Sequence, residues 1–330
     1  MNNKAKIIKI AELSVKIVIL LFGILILYKK LIINQNVTDI IADIEDSFKN
    51  KSQFALMLLA IFFVPLNLYL EAIKWKLQIK PIEDISNWKS FLSIFTGMTA
   101  GMFFPNRMGN FLGRIFMLEK GDRIKAAMVT IVGGMAQMIA TVCIGLLALI
   151  LYVKKNYVLI GILSVLIIIT LLLLYFNIHL LNYFQFLIPK KFKEKTEEYF
   201  KVFSLYNKKE LLKILLLSFV RYFLYTFQFV LLIWAFGIPL TYLKAMIPIS
   251  LTYLAMMIVP FITITEIAVR GSVSVVIFEN WLMMNGINSS YGMMVFTASS
   301  LLWIFNIAIP AIIGLFLTYR LKFFRNKDES

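Results

Sequence analysis

One cysteine and one histidine occur in 330 residues. A single thiol, Cys143, leaves no partner for an internal disulfide and no thiolate set for a metal. His179 follows an apolar run, where an isolated imidazole is ordinarily an interfacial side chain. There is no HExxH, no pair of aspartates at metal spacing and no Ser/His arrangement. Only Glu266 is placed to act as a base. The sequence therefore points away from an enzyme and implies neither metal nor cofactor. Acid is scarce too: 18 Asp and Glu stand against 34 Lys and Arg, a formal net charge of +16. In a soluble protein that excess would raise the question of nucleic acid. Here the basic residues cluster between apolar runs, so cytoplasmic loops and anionic lipid are the simpler explanation.

What the chain has in abundance is apolar surface. Sixty per cent of its residues are hydrophobic, where a soluble domain is nearer half. It reads as one integral membrane domain over 1–330. Runs of spanning length lie near 10–28, 54–73, 88–104, 126–152, 157–176, 211–236, 245–262 and 291–318. The N-terminal run lacks a small-residue cleavage site and reads as a retained span.

Loop charge orients these runs. Four lysines before the first run place the N-terminus inside. Residues 29–53 are neutral and suit the outside, and Lys74, Lys76 and Lys80 return inside. Arg114, Lys120, Arg123 and Lys125 are again cytoplasmic in character, so segment 86–114 begins and ends on the same side. The segment 245–278 is flanked by loops with few basic residues, so both its ends suit the outside. The expected fold is an all-α polytopic membrane protein. It has six full transmembrane helices and two re-entrant helical hairpins, 86–114 and 245–278, in inverted arrangement, with both termini cytoplasmic. Each arm is expected to have about 15 residues, or roughly 23 Å of helix. Eight plain spans kinked at Pro105 and Pro260 are the alternative.

Each hairpin turns at a proline followed by polar residues. Pro105 precedes Arg107, Asn110 and Arg114; Pro260 precedes Glu266 and Arg270. In both cases a polar residue lies four positions before an arginine, on one helix face. An arginine at mid-membrane costs about 2.5–3.5 kcal/mol even on lenient scales, so each needs a reason. Helix starts at Asn106 and at a capping box, Thr263–Glu266, would add N–H groups suited to phosphate. Arg221, ten residues into its own run, is a third such arginine. The candidate substrate-binding residues are Arg107, Asn110, Arg114, Arg221, Glu266 and Arg270. Against this stand structural readings: Arg270 paired only with Glu266, Arg114 snorkelling to headgroups, and Arg221 pairing with Glu71 or Glu266. Glu71, beside Lys74 and Lys76, reads as interfacial. The basic stretch 182–210, with interleaved phenylalanines, reads as an amphipathic cytoplasmic segment, and Ile40–Phe48 as an acidic one on the outer face.

Pro105-Asn106-Arg107-Met108-Gly109-Asn110, followed by Arg114, resembles the Pro-x-Arg-x-Gly-Glu signature of the lysylphosphatidylglycerol synthase transmembrane, or flippase-domain, family. Ile267-Ala268-Val269-Arg270-Gly271 is similar to that family's second conserved region, and Asn67 with Trp75 is similar too. Two positions depart: Asn110 replaces the family's glutamate, and Gly271 stands where an acid is common. With the chain ending at Ser330, the resemblance implies a stand-alone translocation module without the aminoacyl-transferase domain. The expected function is translocation of a phospholipid or lipid-linked headgroup, anionic by preference, through a polar midplane site in a bacterial cytoplasmic membrane. The alternative is a non-transporting subunit that recruits an envelope-assembly enzyme through the loop 182–210. The sequence leaves the oligomeric state open.

Overall fold

Helices account for all regular structure among the described residues of the computed structural model. Those residues are 45, 49–102, 104, 109–119, 121–153, 156–180, 199–259, 265–287 and 291–318. The N-terminal run, the Ile40–Phe48 stretch apart from residue 45, Pro105–Met108, Pro260–Ile264 and most of the basic loop lie outside them. In chain order the helices are α1 (Lys51–Ile79), α2 (Asn87–Met102), α3 (Gly109–Ile115), α4 (Arg123–Tyr152) and α5 (Tyr157–Phe176). They continue with α6 (Lys208–Ala235), α7 (Tyr242–Ile258), α8 (Glu266–Met284), α9 (Gly292–Trp303) and α10 (Ile309–Thr318). A short 3₁₀ turn, Lys201–Leu205, precedes α6, and a π-helical turn, Ile304–Ala308, joins α9 to α10.

Six stretches among the described residues are long and apolar enough to cross a bilayer: α1, α4, α5, α6, α8 and the continuous run Gly292–Leu317. The protein is thus a multi-pass, all-α membrane protein. α5 is the most oily of them and is almost wholly exposed, as a lipid-facing helix should be. α8, assigned from the sequence to a hairpin arm, is itself of spanning length. α2 and α3 are not.

The helices form two compact units. One contains the described residues up to Phe62 together with Thr226–Phe305; the other contains Phe63–Tyr225 and the described residues from Asn306 onward. Each unit holds one of the two proline breaks.

In the second unit, α2 and α3 run antiparallel at close range. The Thr96 hydroxyl donates to the Gly113 carbonyl at 3.0 Å. A Cβ on Gly113 would overlap the Thr96 carbonyl, and one on Gly109 would overlap that of Ala100. Such contact is available only to a helix lacking side chains there. α10 covers another side of α2, where the Thr99 hydroxyl donates to the Ala311 carbonyl at 2.6 Å. Gly113→Ala is therefore expected to destabilise the unit by about 1–3 kcal/mol, read as a lower unfolding temperature of the detergent-solubilised protein.

The two ends of this segment meet. Glu83, before α2, accepts from the backbone N–H groups of Glu119 at 3.2 Å and Gly121 at 2.7 Å, both beyond α3. Lys89 lies 3.1 Å from both the Glu83 and the Glu119 carboxylates. The residues before α2 and those after α3 are thus in contact. The return arm, α3, has only 7 residues, shorter than expected. After Arg114 the chain turns through bonds from Met117 and Leu118 back to the Arg114 and Ile115 carbonyls, directly into the Glu83 clasp. Asp122 then caps α4, accepting from the Ile124 and Lys125 amides. With Cys143 replaced by serine, cysteines at 83 and 119 are expected to crosslink through a short bis-maleimide; failure of folded protein to do so would contradict the closure.

The core of this unit follows helical spacing. Val129, Val132, Ala136 and Ile139 share one buried face of α4 and pack with Tyr175, Phe203, Leu211 and Ile214. The Tyr175 hydroxyl donates to the Leu211 carbonyl at 2.9 Å. The Tyr206 hydroxyl donates to the Gln78 carbonyl, tying the turn before α6 to the end of α1.

In the first unit α7 and α8 are also antiparallel. Trp281 Nε1 donates to the Lys244 carbonyl at 2.8 Å, and Arg270 lies 6.0 Å from the Tyr253 ring centre. Phe229 packs on Tyr253 and Phe278.

Candidate functional site: a buried cluster of cations

Four polar residues lie on one face of α1. Asn67, Glu71, Lys74 and Gln78 are spaced by four, three and four, and all are buried. Such a stripe inside an apolar helix must find partners in the protein, since lipid offers none. Glu71 finds three. Its Oε1 is 2.8 Å from Arg114 Nη1 on α3. Its Oε2 is 2.8 Å from Lys74 Nζ and 2.8 Å from Arg221 Nη1 on α6. One carboxylate thus gathers three cations from three helices, all within the second unit.

Neutral side chains complete the cluster. Gln137 Oε1, on α4, accepts from Arg221 Nη1 at 3.2 Å and from Lys74 Nζ at 3.4 Å. Arg221 Nε donates to Asn67 Oδ1 at 3.1 Å, and Asn67 Nδ2 donates to Asn306 Oδ1 at 2.8 Å. Asn306 lies in the π-helical turn, an irregularity common at functional positions. Arg114 is stacked 5.8 Å from the Trp75 ring centre.

Burial is graded. The side chains of Lys74, Glu71 and Arg114 are 3%, 7% and 9% exposed, whereas that of Arg221 is 22% exposed. Arg221 therefore links the buried cluster to the molecular surface. It stands thirteen residues from Lys208, the start of α6, or about 20 Å along the helix.

Among the described residues, Glu71 is the one acid paired with these cations, so the cluster carries two surplus positive charges. Uncompensated charge away from water costs several kcal/mol per ion. An ion-pair network would come close to neutrality if holding helices together were its whole role. This one has the electrostatics of an anion site. Its buried atoms without hydrogen-bond partners include two donors, Arg114 Nε and Trp75 Nε1; the third, Glu71 Oε2, is engaged by the Lys74 and Arg221 ion pairs.

The sequence-derived candidates separate into two places. Arg114 and Arg221 come together at Glu71. Arg114 is buried and paired, so it does not snorkel to headgroups, and Arg221 takes Glu71 from the two acids considered. Glu266 and Arg270 pair with each other in the first unit, Oε1 to Nη2 at 2.7 Å, with Glu266 wholly buried. Asn110 opens α3, its side-chain amide over Gly101, where a Cβ would collide with it. Arg107 and the start of the Thr263–Glu266 capping box lie outside the described residues. Glu71 and Lys74 are the members of the cluster that the sequence reading set aside. The four-three-four polar stripe was the signal that marks them.

The resemblance noted in the sequence extends over nearly all of it. A sequence model of the lysylphosphatidylglycerol synthase TM region matches residues 13–314. The chain belongs to this family. Comparison with curated proteins and with solved structures returns no match. The matched span includes both proline breaks. Gly271, a departure from the resemblance described for the sequence, faces α9 so closely that a Cβ would overlap the Phe296 ring.

Proposed function

We propose that the protein is a lipid translocase of the cytoplasmic membrane that recognises the phosphate of an anionic headgroup at the Glu71–Lys74–Arg114–Arg221 cluster. The observation that carries this reading is the surplus of cations around one carboxylate, held on α1 and α6, both of spanning length, and on the short α3. Arginine and lysine suit phosphate oxygens, and a water-poor site strengthens the contact. Glu71 orients the cations and keeps their repulsion tolerable while the site is empty. The exposed edge of Arg221 is where a headgroup enters.

The antiparallel α2–α3 pair supports a re-entrant role. At 16 residues, α2 extends about 24 Å, enough to pass the middle of a roughly 30 Å core without crossing it. Its ends join at Glu83, on the side that the basic residues assign to the cytoplasm. Glu266 and Arg270 pair with each other in the first unit, and their role in this reading is to hold α8 rather than to bind substrate.

The test is a leaflet-resolved assay of labelled phospholipids in proteoliposomes, comparing wild type with Arg221→Gln. Loss of anionic-lipid movement in a folded variant supports the reading. Unchanged movement removes the cluster from the mechanism. No movement of any lipid class by wild type, with a partner enzyme co-purifying in stoichiometric amount, would favour the recruiting-subunit alternative.

A further inference from the structure

The charge and donor count of the cluster goes further than an anionic headgroup in general. Resting on the translocase reading, we infer that the site selects a lipid whose headgroup is a phosphate monoester, the doubly charged form, and rejects aminoacylated, net-cationic headgroups.

Charge comes first. Lys74, Arg114 and Arg221 contribute three positive charges and Glu71 one negative charge, a surplus of two. The side chains bonded around them, Asn67, Gln137 and Asn306, are neutral amides. A phosphodiester carries one negative charge and leaves one cation uncompensated. A phosphate monoester, with a second pKa near 6 in water, carries close to two, and cations beside it favour full ionisation. A headgroup esterified with lysine adds positive charge to a site that already has too much.

The second, independent observation is the set of unpartnered atoms. Arg114 Nε and Trp75 Nε1 are both donors, on residues that are 8% and 0% exposed. They flank one another, with the Arg114 guanidinium 5.8 Å from the Trp75 ring centre. Glu71 Oε2 also lacks a hydrogen bond of good geometry, but it is held 2.8 Å from Lys74 Nζ and 2.8 Å from Arg221 Nη1, so the donors left over are the ones a ligand rich in acceptors would satisfy. A monoester presents three non-bridging oxygens and a diester two, so the monoester satisfies one more donor.

Inorganic phosphate shares this chemistry, and the experiment separates the two sources. The full-length protein in detergent is titrated with dioleoyl phosphatidic acid, phosphatidylglycerol, lysylphosphatidylglycerol and inorganic phosphate, with binding read by native mass spectrometry and by thermal shift. Phosphatidic acid is expected to bind at least tenfold tighter than phosphatidylglycerol, with lysylphosphatidylglycerol weakest. Inorganic phosphate is expected to bind at least a hundredfold more weakly than phosphatidic acid. Lys74→Gln and Arg114→Gln each lower the surplus to one and should bring the phosphatidic acid to phosphatidylglycerol ratio to about threefold or less. The unfolding temperature of each variant without lipid is read alongside, which guards against reading a folding defect as lost selectivity. Equal or tighter binding of phosphatidylglycerol or lysylphosphatidylglycerol overturns the inference. If phosphatidylglycerol is also translocated through an Arg221-dependent route, the translocase reading survives it. Inorganic phosphate binding as tightly as phosphatidic acid overturns the lipid assignment. No binding of any lipid overturns both.

Discussion

Glu71→Gln is expected to be the most damaging single substitution in the protein. It removes the carboxylate that Lys74, Arg114 and Arg221 share, at 2.8 Å from each. What remains is three mutually repelling cations in a site mostly closed to water. Removing one partner of a buried ion pair costs about 3–5 kcal/mol, and here one removal breaks three pairs. The expected result is poor recovery of folded protein and a markedly lower unfolding temperature in detergent. The double variant Glu71→Gln with Lys74→Met returns the surplus to two and should recover part of the loss. If Glu71→Gln alone unfolds at the wild-type temperature, the charge network described for α1, α3 and α6 is not what holds them.

Arg221→Gln is expected to act on function more than on fold. Its side chain is the most exposed of the four, and Glu71 keeps two other cations after the change. A charge-assisted hydrogen bond contributes about 1.5–3 kcal/mol, so losing one to a phosphate lowers transport roughly ten- to hundredfold. Arg270→Ala gives the contrast. It leaves the wholly buried Glu266 carboxylate without the guanidinium 2.7 Å away, so its cost appears in unfolding temperature. In the folded fraction, transport per molecule should be near wild type. Measuring both variants for unfolding temperature and leaflet transfer separates a binding role from a structural one.

The fold was legible where hydrophobic periodicity was long. The apolar runs 126–152 and 157–176 are the cores of α4 and α5 almost residue for residue. Loop charge suggested that segment 86–114 returns to its starting side; the Glu83 clasp shows that the residues flanking it meet. The brevity of α3 was not legible, because it is set by where Arg114 reaches Glu71 and by the turn into the clasp. Arg114 and Arg221 were recognised because an arginine within an apolar run is conspicuous. Glu71 and Lys74 were read as interfacial because Lys76 follows them. The regular spacing from Asn67 to Gln78 argues otherwise once the whole helix is considered. That Arg221 would meet Glu71, 150 positions earlier in the chain, is a fact of tertiary packing that no local pattern carries.

The measurement that bears most directly on the central claim is photo-crosslinking of the reconstituted protein with a diazirine-bearing phosphatidic acid, followed by peptide mapping. Occupancy of the cluster by the lipid phosphate predicts adducts on the peptides carrying Trp75 and Arg221, removed by excess unlabelled phosphatidic acid and absent in Arg221→Gln. Adducts confined to the lipid-facing surface of α5, indifferent to competitor and to the substitution, would contradict it.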